Sequence, residues 1–205
     1  MKTLPDEEFQ RIIEAGYETR NLEFKSPFLW DDKDSLWLRE KVIRTILGMS
    51  NTQDGGNIVI GVSEKDNQLE FVGITEDQLA TFIYDVIKGV VDGFASPSSS
   101  FDIAQASYKG NWYLVIGVSE FEEMPIICKN DGQYKSSQGD YLLRRGDIYT
   151  RSRSGQAGTI RTTETEMREI IEIAVDKNQR RLLRRGWTYP TEEDNGLFAK
   201  QREDF

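Results

Sequence analysis

The chain has 205 residues, with 26 Lys and Arg against 35 Asp and Glu, a net charge of −9, one cysteine and no histidine. Without an imidazole, Ser-His and Cys-His nucleophilic pairs are excluded, and the lone thiol of Cys128 can build neither a structural zinc site nor an intrachain disulfide, which fits a reducing compartment. No apolar run approaches the roughly 18 residues of a membrane span, and the acidic start Met1 to Glu8 is no signal peptide, so a cytoplasmic protein with no membrane partner is expected.

One domain with a proper core suits this length. Charge is unevenly spread: residues 144–185 hold eleven Lys and Arg against six Asp and Glu, whereas residues 1–70 hold nine against fourteen. A basic strip beside an acidic region suits a protein acting on nucleic acid, and it equally suits the solvated face of a helix.

Pro5 to Ala15 reads as a short helix with acidic residues in its first turn and Gly16 as its stop. Residues 20–25 alternate Leu22 and Phe24 against Glu23 and Lys25, the pattern of a half-buried strand, which puts Glu23 and Lys25 on one face. Leu36 to Met49 is an apolar-faced helix ending before Asp54-Gly55-Gly56. Ile58 to Val62 reads as a strand buried on both faces, carrying Glu64 at its end, with a hairpin return at Leu69 to Ile74. Thr75 and Gln78 form a capping box that opens a helix running to about Val91. Residues 101–108 and 112–119 make a hairpin around Lys109-Gly110-Asn111. Strands are expected at Ile126 to Lys129, Tyr141 to Arg145 and Asp147 to Arg151, with a mobile stretch from Asn130 to Asp140. Thr163 then caps a helix to Arg185, and a polar tail completes the chain.

These elements amount to an α/β (α+β) fold, a single domain with a mixed β-sheet flanked by helices. Glu18-x4-Glu23-Phe24-Lys25, then Ser50-Asn51-Thr52-x-x-Gly55-Gly56-x-Ile58-x-Ile60-Gly61-Val62, and later Asp147-Ile148-Tyr149-Thr150-Arg151 before a terminal helix, together resemble the AlbA-like domain of the Schlafen family. On that resemblance the chain divides into an N-terminal helix over 1–17, the AlbA-like domain over 18–176, and a helix end with polar tail over 177–205. The resemblance implies a nucleic-acid-binding domain. In the animal Schlafen proteins the related domain cleaves transfer and ribosomal RNA with a divalent metal. Carried over position by position, the two early acidic residues fall on Glu18 and Glu23, the lysine on Lys25 and the third acidic residue on Glu64, where the family usually has aspartate; Asp66 is a nearby substitute.

Glu18, Glu23 and Glu64 are thus the candidate ligands for magnesium or manganese, which prefer oxygen donors, and Lys25 is the candidate holder of the scissile phosphate. On spacing alone, Glu18 and Glu23 read equally well as exposed residues, with Lys25 neutralising Glu23. No ATP site is expected, because Gly55, Gly56 and Gly61 lead into a strand and lack the lysine and Ser/Thr of a phosphate loop. The nucleic-acid contacts are expected from Arg144, Arg145, Arg151, Arg153 and Arg161, with Tyr149 stacking or filling the core and Ser154-Gly155 offering main-chain amides.

These residues support three functions. The first is a metal-dependent endoribonuclease acting on structured RNA such as transfer RNA, as a toxin or anti-phage effector. The second is a non-catalytic nucleic-acid-binding module, and the third a protein-interaction subunit using Trp187 and Tyr189 of the tail. RNA is favoured over DNA. A homodimer is expected, because the animal proteins pair two lobes and this chain has length for one; strand edges near 101–129 or the aromatic tail would supply the contact.

Overall fold

The computed structural model describes residues 1–14, 16–66, 68–153 and 158–187. Its centre is a five-stranded mixed sheet built, from one edge to the other, of β1 (Lys2–Thr3), β7 (Phe101–Tyr108), β8 (Asn111–Val118), β3 (Gly56–Ile60) and β2 (Leu22–Lys25). The outer pairs are parallel and the inner ones antiparallel. Period-two alternation feeds two apolar layers. Ile58, Ile60, Leu114 and Ile116 join the layer beneath α2 (Leu36–Ser50), whereas Val59, Val115, Leu22 and Phe24 join Phe9 and Ile13 of α1 (Asp6–Ile13) on the other face. The sheet is therefore buried on both sides, as the β-branched run at 58–62 requires. Glu23 and Lys25 are left on the α2 face.

At Gly61 the chain turns out of the sheet with φ +116°, and an added Cβ would stand 2.9 Å from the Tyr113 ring, so only glycine fits. The chain then enters a separate antiparallel ribbon, β4 (Val62–Lys65) with β5 (Gln68–Phe71). Glu64 rides on this exposed ribbon and not on the end of the buried strand that the sequence suggests.

The capping box at Thr75 and Gln78 is present, but the helix it opens stops early. It splits into α3 (Glu76–Ala80) and α4 (Tyr84–Phe94), because Phe82 turns inward to pack on Phe28 and Trp30. A two-residue pair joins β6 (Ala95–Ser96) to β9 (Ile127–Cys128).

Two further expectations change. Tyr141 to Arg145 forms no strand beyond one bridge between Lys135 and Tyr141, and the stretch from Asn130 is anchored, since the buried Glu40 carboxylate accepts the main-chain N–H groups of Gln133 (2.6 Å) and Tyr134 (3.1 Å). Of the hairpin at 101–118, β8 is enclosed between β7 and β3, while β7 is covered on its outer side only at Ala104 and Gln105, where β1 pairs with it.

The last elements are the ribbon β10 (Tyr149–Arg151) with β11 (Thr159–Arg161) and the helix α5 (Glu164–Arg184). The ribbon lies against α2 at Gly48, where an added Cβ would meet the Thr159 methyl at 2.6 Å. The Ser-Asn-Thr motif at the end of α2 holds it there. Buried Asn51 donates to the carbonyls of Ile126 (2.8 Å) and Tyr149 (2.9 Å) and accepts from Ile126 N–H, and Thr52 Oγ1 accepts from Arg151 N–H. Trp187 is 42% exposed at the end of the described chain; Tyr189 and Ser154-Gly155 lie outside the described residues. Among those residues, no helix is long and apolar enough to cross a membrane.

Candidate functional site

A cleft of about 470 Å³ opens where the edge strand β2, the helix α2 and the ribbon β4–β5 meet. Glu18, Glu23, Lys25 and Glu64 all line it, so the four candidate catalytic residues reach one place from two segments, the stretch 18–25 and β4. Two more cations, Lys41 and Arg44, enter from α2. The walls thus carry three carboxylates facing three cations.

Glu23 is the best fixed of these groups. It is 7% exposed, and its two carboxylate oxygens are taken separately: Oε1 accepts from Lys25 Nζ and Oε2 from Arg151 Nη1. Burial alone would raise the Glu23 carboxyl, but Lys25 and Arg151 outweigh it and hold the group below the ordinary carboxylate value. Lys25 does neutralise Glu23, as spacing allows, but inside the protein and not on its surface.

Arg151 requires a correction. Expected to contact phosphate, it is fully buried. Its Nε and Nη2 donate to the carbonyls of Arg20 (3.1 Å) and Thr19 (3.0 Å), and Nη1 also reaches Thr159 Oγ1 (3.2 Å). Every part of the guanidinium serves to fasten the Thr19–Glu23 segment to β10. Tyr149 fills the core at 1% exposure, its hydroxyl accepting from Arg144 N–H (2.8 Å), and is not available to stack on a base. Burial is also the main reason its phenol is pushed above the ordinary value.

Glu18 is more loosely held. Its Oε1 accepts from Phe24 N–H at 3.0 Å, and burial, then the neighbouring Glu23 carboxylate, raise its pKa. Glu64 is exposed and has no side-chain partner among the described residues. Asp66, at the tip of the ribbon, does not line the cleft. Among the described residues no three acidic side chains are gathered closely enough to form a metal-ligand group.

The two cations of α2 were not anticipated. Trp37, Lys41 and Arg44 stand at i, i+4 and i+7, one stripe of the helix, and the same spacing in the sequence carries the signal. Burial, then the charge of Lys25, lowers the Lys41 ammonium below its ordinary value, with Glu23 opposing. Arg44 stacks over Tyr149 with 5.0 Å between guanidinium and ring, and its buried Nε–H has no hydrogen-bond partner among the described residues.

The remaining arginines divide. Arg153 pairs with Glu169 at 3.6 Å, and Glu169 also holds Arg20 bidentately at 2.6 and 2.7 Å. Arg145 is exposed and borders neither the cleft nor its neighbour. Arg144 and Arg161 line a second cavity of about 430 Å³, Arg161 at 3.7 Å from Asp147, and this cavity meets the cleft at Trp37 and Arg44. On α5, Lys177, Arg180 and Arg181 pair with Glu120, Asp176 and Glu123, so much of that basic strip is neutralised.

Among solved structures, the DIP2311 protein of Corynebacterium diphtheriae is similar at 15% identity and a TM-score of 0.47 over 80% of this chain, which spans only 28% of that protein. The N-terminal domain of a RecG-related protein of Nitrosomonas europaea is similar at 18% identity and a TM-score of 0.42, over 76% of this chain and 93% of that domain. No curated protein matches the sequence. The sequence model of the Schlafen AlbA_2 domain matches residues 18–153, a span that begins at Glu18 and takes in the cleft, the Ser-Asn-Thr motif and Arg151; the chain belongs to the Schlafen AlbA_2 family.

Proposed function

We propose that the chain is a nucleic-acid-binding domain that receives an RNA phosphodiester in the cleft and hydrolyses it as a metal-dependent endoribonuclease on structured RNA such as transfer RNA. The observation that carries this reading is the opposition of Lys25, Lys41 and Arg44 to Glu18, Glu23 and Glu64 within one cavity. Arg44 has unused donors and would grip two phosphate oxygens. Lys41, whose ammonium holds its proton less tightly than usual because it is buried, would supply the leaving oxygen with a proton. Glu23 keeps Lys25 in place beside them.

The donor set fits magnesium or manganese in kind. Such ions are often held by only one or two carboxylates, with waters and substrate phosphate completing the shell, and Glu18 and Glu64 are the two that would serve. Bound there, the ion would polarise the phosphoryl group and acidify a water. Both oxygens of Glu23 are already engaged, so it supports the site electrostatically and is not counted as a ligand.

That engagement also favours a second reading, a module that binds nucleic acid without cutting it. Incubating the purified chain with transfer RNA and manganese or magnesium separates the two. Endonuclease action gives discrete fragments, stopped by a chelator and lowered about a hundredfold or more by Glu18→Gln. RNA binding without cleavage leaves the binding module, and cleavage that ignores both treatments refutes the roles assigned here.

A further inference from the structure

The second cavity shares only Trp37 and Arg44 with the cleft, and the rest of its lining is different in kind. Trp37, Tyr134 and Tyr141 form its aromatic walls, with Arg144 and Arg161 beside them and Ser136, Gln138 and Asp140 at the polar side. Trp37 and Tyr141 remain 40% and 38% exposed, which is apolar area left in water around a concave site. Trp37 and Tyr134 have ring centroids 6.4 Å apart at 53°, two walls of an open wedge. Lys41 Nζ stands 3.9 Å from the Trp37 ring centre and Lys135 Nζ 4.5 Å from that of Tyr141, flexible cations that a base stacking on these faces would displace toward its phosphates.

From these features the geometry points to a nucleobase pocket: an unpaired base of a single-stranded nucleic acid stacks on Trp37 and Tyr141 while its phosphate reaches Arg44. Three observations support this assignment. The cavity joins the cleft through Trp37 and Arg44, so a base and its own phosphodiester are served by adjoining spaces. The Arg44 guanidinium, stacked over Tyr149, is the cation at that junction. The aromatic wall is also anchored, because Glu40, next to Lys41 on α2, accepts the main-chain N–H groups of Gln133 and Tyr134, and Leu142 N–H closes the loop on the Tyr134 carbonyl at 3.2 Å. Aromatic faces flanked by arginines and short polar side chains are how unpaired bases are recognised, by stacking first and by hydrogen bonds to base edges second. A peptide would use the arginines but would leave the stacked aromatic walls without a planar partner. The inference rests on the cleft being a phosphodiester site, and it specifies the substrate as RNA with at least one unstacked nucleotide beside the contacted phosphate.

The test measures binding of the full chain, without added metal, to a fluorescein-labelled single-stranded oligoribonucleotide and to a blunt RNA duplex. Trp37→Ala and Tyr141→Ala both alter exposed side chains, and two separate walls guard against one variant misfolding. Each should weaken single-strand binding about five- to a hundredfold, the range one base–aromatic stack is worth, and leave duplex binding nearly unchanged. An oligonucleotide abasic at the contacted position should bind the wild type and Trp37→Ala alike. Equal losses for both RNA forms, or no loss for either, overturn the base pocket while the cleft reading stands. If the wild type binds neither RNA, the cleft reading itself fails and takes the pocket with it.

Discussion

Arg151 and Glu23 form an enclosed ion pair that ties the β10–β11 ribbon to the edge strand of the main sheet. The guanidinium is fully buried, and the carboxylate is shared with Lys25. The guanidinium is shut off from water and the carboxylate nearly so, which makes the pair a structural link within the wall of the cleft, and the cleft depends on its remaining closed.

Removing one partner strands the other. Glu23→Gln leaves two cations facing a neutral amide and should cost about 3–5 kcal/mol, the usual penalty for breaking a buried pair from one side. Arg151→Met should cost a similar amount, and the double variant should cost less than the sum of the two. Urea unfolding of the four proteins measures the coupling, and strictly additive losses would mean the pair contributes nothing jointly.

The pH dependence has its origin in the same pair. Glu23 titrates lower in the folded protein than in the unfolded chain. Its stabilisation is therefore complete above the unfolded carboxylate pKa and disappears as pH falls through the lower folded value. Acid unfolding of the wild type should thus extend below the ordinary carboxylate range, and Glu23→Gln should lose that part of the profile. Thermal melts at stepped pH would show it.

Glu18 runs the opposite way. Its folded pKa is raised, so it favours the folded state below the unfolded pKa, and that advantage is lost as pH rises through the folded value. Glu18→Gln removes the repulsion with Glu23 while the amide oxygen can still accept from Phe24 N–H. At neutral pH the variant should gain up to about 1 kcal/mol and lose any cleavage activity. A variant both less stable and fully active contradicts the assignment on each count.

Much of this site could be read from short-range pattern. Alternation in residues 22–25 put Glu23 and Lys25 on one face, and the β-branched run at 58–62 pointed to a strand covered on both sides. What escaped was set by distant contacts. Arg151 sits in a basic stretch that resembles a phosphate-binding strip, and only its position against Thr19, Arg20 and Glu23, about 130 residues away in the chain, makes it internal. Gly61 reads as part of a strand in the sequence because its φ of +116° and the approach of Tyr113 depend on tertiary packing. The break at Phe82 has the same origin, since an aromatic needed by the core overrides an uninterrupted helical pattern. Trp37, Lys41 and Arg44 are a different case: their spacing was visible, and the missing information was which face of α2 looks into a cleft.

Relocating the cations changes the salt dependence expected of RNA binding. Removing one phosphate contact lowers the slope of log affinity against log salt by about 0.7 for a single strand. Arg44→Ala and Arg161→Ala should each produce such a decrease, Arg44 the more reliably, because Arg161 is shared with Asp147 whereas Arg44 holds a donor with no partner among the described residues. Arg153→Ala should change the slope little, since its charge is balanced by Glu169. Arg151→Ala should reduce binding only in proportion to the folded protein lost, and the remaining folded fraction should keep the wild-type slope. Fluorescence titrations from low to moderate salt separate these cases. A slope lowered by Arg153→Ala and untouched by Arg44→Ala would move the phosphate path off the cleft and onto the α5 side of the molecule.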